Sequence, residues 1–250
     1  MGRRRKKNTQ VAEALVGLIF TVVYTVVMIV TRLILLVYDL VTYHISGYGR
    51  KSGNGFLKTI FDKGFYGEMR VYRKVIRIFG KDAVMTNVYL DGKNTETTEI
   101  DVIAVSTKGV YVFEVKNYGG YIYGSEKDEY WTQAFNKRSK HKFYNPLRQN
   151  YAHTKAIEKH LGLVSEAIIP LVVFSDRSKL AKLSLSSKSN VFQITDAMRF
   201  VRRTEKKGPQ RITEEEKKQS IVKLIERSNM PEDVKLKHIE DVRRVTVGVQ

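Results

Sequence analysis

Thr97-Thr98-Glu99-Ile100-Asp101-Val102-Ile103-Ala104-Val105-Ser106, a Thr107-Lys108-Gly109 turn, then Val110-Tyr111-Val112-Phe113-Glu114-Val115-Lys116: this stretch decides how the chain is read. β-Branched and aromatic residues dominate both runs, and the turn residues between them join two strands into a hairpin. Side chains alternate along a strand, so Glu114 and Lys116 share one face while Val115 takes the other. Asp101 stands on the preceding strand, where the hairpin can bring it beside Glu114. Two carboxylates so placed suit Mg²⁺ or Mn²⁺, hard ions that prefer oxygen ligands. Such an ion would polarise a phosphodiester and acidify a bound water, with Lys116 orienting that water or stabilising developing negative charge. An isolated E-x-K pair on an exposed strand describes a solvated salt bridge equally well, so its neighbours must decide.

Working outward, residues 65–79 carry Phe65, Met69, Tyr72, Val75, Ile76 and Phe79 at three- and four-residue steps, a helix. Residues 84–90 read as a strand, closed by Asp91-Gly92 and Lys93-Asn94 as a turn. Residues 121–123 form a short further strand. Asn145-Pro146 opens a helix running to about Leu161, with Pro146 at its first position. Residues 167–174 are a continuous apolar run suited to a buried strand, and 191–194 a shorter one. Helices are expected over 196–203 and 213–228, the latter opened by a Thr213/Glu216 capping box, and another from Pro231. The order is that of an α/β domain, a mixed central sheet flanked by helices.

The amino terminus reads differently. Arg3, Arg4, Arg5, Lys6 and Lys7 precede residues 14–31, which hold no charged side chain. Eighteen helical residues rise about 27 Å, close to the hydrocarbon thickness of a bilayer. Residues 1–45 are therefore expected to be a basic terminus and a single transmembrane anchor that places the protein at a cell membrane. Arg32 is expected to snorkel at the interface, with 33–43 extending the helix or lying along the surface. Basic residues flank both ends of the span, so the side occupied by the remainder is open. Residues 46–63, with Gly47, Gly49, Gly53 and Gly55, read as a flexible connector.

The formal net charge of +18 is spread along the 250 residues and favours polyanionic partners, nucleic acid or anionic lipid. The absence of cysteine excludes disulfides, thiolate nucleophiles and Cys-ligated zinc. The five histidines form no close pair with metal-ligand spacing, and no H-E-x-x-H or phosphate-binding loop is present, so no nucleotide cofactor is expected.

Residues 64 to about 163 resemble the nuclease-related (NERD) domain, a relative of the PD-(D/E)xK, restriction-endonuclease-like superfamily. The pieces that carry the resemblance are Gly67-Glu68, Asn87-Val88-Tyr89, Thr98-Glu99-Ile100-Asp101 and Gly109 through Tyr118 with Gly120. Trp131 and Asn145-Pro146-Leu147-Arg148-Gln149-Asn150 complete the set, in order and with compatible spacing. The resemblance implies an endonuclease-like core over 64–204, followed by a helical tail over 205–250. It implies Asp101 and Glu114 as metal ligands, Lys116 as the catalytic lysine, Glu68 as a supporting acid and Gln149 as a polar contributor. Ile100 stands where many of the wider superfamily have proline. The implied activity is metal-dependent hydrolysis of DNA or RNA. The alternative is a non-catalytic, membrane-tethered module that binds nucleic acid or acts as a scaffold. Lys137, Arg138, Lys140 and Lys142, interleaved with Phe135, Phe143 and Tyr144, read as a basic loop suited to phosphate contact and base stacking, or as a solvated loop whose aromatics face the core. Trp131 reads as packing, and Tyr111, Tyr118, Tyr121 and Tyr123 as residues that fill a sheet face.

Overall fold

The structure, a computed structural model, describes residues 2–92, 97–136, 138–228, 230, 236–238 and 240, with side chains from residue 13 onward. Lys93, Asn94, Lys137 and Pro231 lie outside the described residues; of the helix expected from Pro231, residues 236–238 and 240 are described, and they are helical. The chain divides into two units, Met1–Ile45 and Ser46–Gln250.

The first unit is one helix, α1 (Gly2–Ser46), which passes through Arg32 without a break. Its stretch Glu13–Ser46 is long and apolar enough to cross a membrane. The threonines along it are satisfied internally. Thr21, Thr25 and Thr31 donate their hydroxyls to the carbonyls of Gly17, Thr21 and Val27, so an apolar surround leaves no hydroxyl proton unpaired there.

The second unit begins where a flexible connector was expected, and the structure corrects that expectation. Two short helices, α2 (Tyr48–Ser52) and α3 (Phe56–Phe61), occupy this segment, and Tyr48, Ser52 and Thr59 are buried. Glycine content suggested freedom, but a tyrosine with no solvent exposure holds the backbone in place.

The helix α4 (Lys63–Phe79) follows, opened by Asp62, whose carboxylate accepts the Phe65 N–H at 3.0 Å. Strands β1 (Val84–Asp91), β2 (Thr97–Ser106) and β3 (Gly109–Lys116) form an antiparallel meander. Then come β4 (Gly120–Ser125), β5 (Tyr130–Ala134), β6 (Lys140–Tyr144) and α5 (Pro146–Leu161). Past a 3-10 turn, β7 (Ile168–Phe174), β8 (Ser178–Ser184), β9 (Val191–Gln193), α6 (Ile194–Lys207) and α7 (Glu214–Glu226) complete the described elements. The expected capping box of α7 forms, with Thr213 and Glu216 exchanging hydrogen bonds.

The strands build two mixed sheets rather than the single one expected. The first has the order β1-β2-β3-β7-β9, with β7 parallel to both β3 and β9. Side-chain alternation gives it two apolar faces. Val110 and Val112 pack with Ile157 and Leu161 of α5 and Leu224 of α7. Tyr111, on the opposite face, meets Phe79 of α4 and gives its hydroxyl to Glu205 of α6. Residues 205–224 are thus packed into the core: α6 runs through the boundary expected at residue 204, and Ile212 and Leu224 are buried.

The second sheet has the order β6-β5-β4-β8, with β4 parallel to β8. Its inner face centres on Trp131, which stacks on Phe174 with ring centroids 6.2 Å apart and planes 4° apart. A β-carbon at Gly124 would lie 2.4 Å from the Trp131 ring, so only glycine lets the indole lie flat against β4. Trp131 packs, as read. The basic loop does not exist as such: Lys140 and Lys142 stand on β6, and Arg138 sits in the turn of the β5–β6 hairpin.

Candidate active site

The β1–β2 ladder pairs residues from Val84 with Ala104 to Asp91 with Thr97, but omits one pair, Asn87 opposite Asp101. The β2–β3 ladder runs from Ser106 with Gly109 to Val102 with Phe113, stopping one step short of Asp101 opposite Glu114. Asn87 is the one described residue other than glycine with a positive φ, 50°. Met85 faces the α5-side core before this break and Val88 and Leu90 after it; Ile100 faces it before, Ile103 and Val105 after. Alternation therefore slips by one residue in both strands at the same level. Asp101 leaves the ladder, and its Oδ2 accepts the Val115 N–H at 2.7 Å, taking the place of a backbone carbonyl.

Glu114 and Lys116 project to the α5 side, as the period of two required. Glu114 is buried, with Oε1 2.6 Å from Lys116 Nζ and Oε2 2.9 Å from His153 Nε2. Apart from that ammonium contact, Oε1 has no hydrogen-bond donor. Lys116 Nζ donates to Gln149 Oε1 at 3.0 Å. The other ring nitrogen of His153 lies 2.9 Å from Thr98 Oγ1. An Nε2–H tautomer satisfies both contacts, donating to Glu114 and accepting from the threonine.

Glu68 arrives from the α4 side. A β-carbon at Gly67 would lie 2.5 Å from Asn117 Cβ, so glycine allows α4 to press against the end of β3. Asn117 fixes that approach by donating to the Lys63 carbonyl at 2.7 Å, and Arg177 holds its Oδ1 at 3.0 Å. Tyr48 of α2 places its hydroxyl 3.3 Å from Glu68 Oε2. Glu99, whose Oε1 accepts from Asn87 Nδ2 at 2.7 Å, adds a further carboxylate.

The charges act on one another. Burial and then the Glu114 and Glu68 charges push Asp101 well above the usual carboxylate range, against the pull of Lys116 and the Val115 N–H. Burial and then Glu99 push Glu68 up to about 8, opposed by the Tyr48 hydrogen bond. Burial also works against the charged form of Glu114, but Lys116 and His153 outweigh it and its pKa is lowered. Burial would neutralise Lys116, yet Glu114 and Asp101 raise its pKa above the ordinary value. Lys116 therefore keeps its proton, and with it a positive charge, near neutral pH.

Among the described residues no three acidic or imidazole side chains already converge as a ligand set. The donor chemistry nonetheless fits a hard dication. Two oxygen ligands suffice where water and substrate complete the shell, Glu114 Oε1 lacks a hydrogen-bond donor, and mutual repulsion among Asp101, Glu68 and Glu114 is what a cation would relieve.

The structure thus brings Asp101, Glu114, Lys116, Glu68 and Gln149 into one group. Arg138, Lys140 and Lys142 are held on the second sheet instead. Sequence reasoning passed over His153 and Tyr48, and quoted Asn87 for the resemblance without giving it a role. His153 was findable, since it lies one helical turn beyond Gln149 and must share its face. Asn87, a poor strand former inside an apolar run, was a weaker signal. Nothing local marked Tyr48.

Comparison with known proteins shows the family. The nuclease-related domain model matches residues 63–175. An uncharacterized protein of Bacillus anthracis is 36% identical over 183 residues, covering 71% of this chain and 82% of that protein. A crystal structure of a protein of unknown function aligns with a TM-score of 0.31 at 21% identity, covering 53% of this chain and 58% of that one. With the matched segment enclosing Glu68, Asp101, Glu114, Lys116 and Gln149, the chain belongs to the nuclease-related domain (NERD) family.

Proposed function

We propose that this protein is a membrane-anchored nuclease that hydrolyses phosphodiester bonds of DNA or RNA with Mg²⁺ or Mn²⁺. The reading rests above all on one observation: buried Glu114 holds the half-buried Lys116 ammonium, which reaches on to Gln149, beside an aspartate released from the strand ladder. Burying such groups without a task is costly, because a buried ion pair seldom outperforms apolar packing. Asp101 and Glu114 would hold the ion, which when bound supplies an acidified water and a polarised phosphate. Gln149 and Glu114 aim the Lys116 ammonium, which stabilises negative charge developing on the phosphate. His153 fixes the Glu114 carboxylate from behind, with Thr98 setting the ring. Glu68, pushed up to about 8, is the acid best matched to exchange a proton near neutrality.

The test is divalent-ion-dependent cleavage of end-labelled DNA and RNA by the full chain in detergent. Lys116→Ala and Asp101→Ala should each abolish it; cleavage retained in both would sink the reading. Salt-sensitive binding with no turnover under any metal would favour the non-catalytic module instead. For α1 the anchoring role predicts that the full-length chain resists carbonate extraction from membranes. A shortened, extractable product would make α1 a removed leader.

A further inference from the structure

The outward face of the second sheet has no role in the site described above, and its composition is unusual for a solvated surface. Residues paired across an antiparallel ladder share a face, so the register assigns sides. Trp131 pairs with Phe143 and both point inward, as do Ile122 and Leu180. The residues one step away point outward, and among them are Tyr121 and Tyr123 of β4, Tyr130 of β5 and Tyr144 of β6. Their exposures of 41%, 40%, 44% and 46% show that no described element covers them. Interspersed on the same side are Lys140 and Lys142 of β6 and Lys179 and Lys182 of β8. The four strands contain no aspartate or glutamate at all.

The inner face already supplies this sheet with its core; on the outer face Tyr130 and Tyr144 meet each other edge to face, with ring centroids 6.1 Å apart, yet all four rings remain exposed. Lys179 Nζ stands 5.5 Å from the centre of the Tyr121 ring, so one face of that ring already meets a cation, which a stacking base would displace toward a phosphate. Flat, exposed rings alternating with ammonium groups match a chain of stackable bases joined by phosphates. A duplex offers its phosphates but hides its base faces, so the aromatic half of the surface favours a single strand. The sheet is also tied to the carboxylate site. β4 begins four residues after Lys116, and Gln133 of β5 donates to the Gly119 carbonyl at 2.8 Å within that connection.

We propose that the outward face of the second sheet binds single-stranded nucleic acid, its tyrosines stacking bases and its lysines meeting phosphates. That the bound strand is also the substrate rests on the nuclease reading; that it binds does not. An anionic membrane surface is the competing occupant, since lysine and tyrosine also suit lipid headgroups, but phosphates alone would leave four stacking surfaces without a purpose.

The full chain is placed in zwitterionic-lipid nanodiscs with EDTA, so that no cleavage intervenes, and titrated into a fluorescein-labelled 20-nucleotide single strand. Tyr121→Ala/Tyr123→Ala should weaken binding about tenfold or more, and Tyr121→Phe/Tyr123→Phe should keep it. An abasic strand of the same length should bind wild type about tenfold more weakly. Equal binding by wild type and the alanine pair, loss in the phenylalanine pair, or tight binding of the abasic strand would each overturn the proposal. So would unchanged strand binding accompanied by lost capture on phosphatidylserine vesicles, which would assign the face to lipid. If strand binding behaves as expected while Mg²⁺ and Mn²⁺ never elicit cleavage, the nuclease reading fails and the binding face stands.

Discussion

The two sheets treat charge in opposite ways. The first gathers Glu68, Glu99, Asp101 and Glu114 around one ammonium, with Glu114 almost wholly enclosed and Lys116 half-buried. The second spreads four lysines over an open face and includes no carboxylate in its strands. In the enclosed site, low polarisability makes each charge depend on its neighbours, and removing one leaves another unpaired. On the open face each lysine is screened by water and salt, so single contributions are small and only their sum counts. Substitutions should therefore be felt strongly and specifically in the first region, weakly and additively in the second.

The largest contrast is expected from Glu114→Ala, which strands the Lys116 and His153 donors in a buried site. It should cost about 3–5 kcal/mol of stability, read as a shifted chemical unfolding midpoint. A shift no larger than that of a surface alanine substitution would mean the carboxylate is better solvated than its burial indicates. Glu68→Gln tests the same region through pH. The folded state keeps a proton on Glu68 up to about 8, while the unfolded chain releases it near 4.5, so wild-type stability falls as pH rises through that window. The glutamine variant should match wild type at pH 4 and gain on it by up to about 1.4 kcal/mol per pH unit inside the window, measured in EDTA. A difference that is constant with pH would remove Glu68 from the set of coupled acids.

In the second sheet, Gly124→Ala pushes a methyl group into the Trp131 ring and should cost about 1–3 kcal/mol while leaving residual cleavage chemistry, once folded, intact. The smallest effect belongs to Lys179→Ala/Lys182→Ala. Single-strand affinity at low salt should drop modestly, and the slope of log affinity against log salt should flatten by roughly 1.4, about 0.7 per lost phosphate contact. An unchanged slope would place those lysines outside the contact.

Much of the first sheet was legible because its determinants are local. β2 runs from Thr97 to Ser106 and α5 from Pro146 to Leu161, as the alternation and the Asn145-Pro146 start required. The carboxylate–lysine group was legible only in part. Alternation placed Glu114 and Lys116 on one face, and family resemblance, not spacing, singled out Glu68 and Gln149. β5, β6 and β8 escaped notice because sequences such as Lys-His-Lys-Phe-Tyr and Ser-Lys-Leu-Ala-Lys-Leu-Ser carry little strand preference of their own. β5 and β6 form a hairpin beside β4, and β8 pairs with β4 from 58 or 59 residues further along the chain, so the sheet closes only through a contact that no local pattern records.

The sequence by itself determined the apolar amino-terminal helix, the α/β order and the hairpin that aims Glu114 and Lys116 together, since each follows from periodicity within one or two turns of chain. Only the tertiary structure decided that Tyr48 would reach Glu68, that β1 and β2 would slip together at Asn87 and Asp101, and that four tyrosines would share an open face. Those arrangements depend on backbone approaching backbone across distant segments, where a missing β-carbon at Gly67 or Gly124 sets the distance and no local pattern records it.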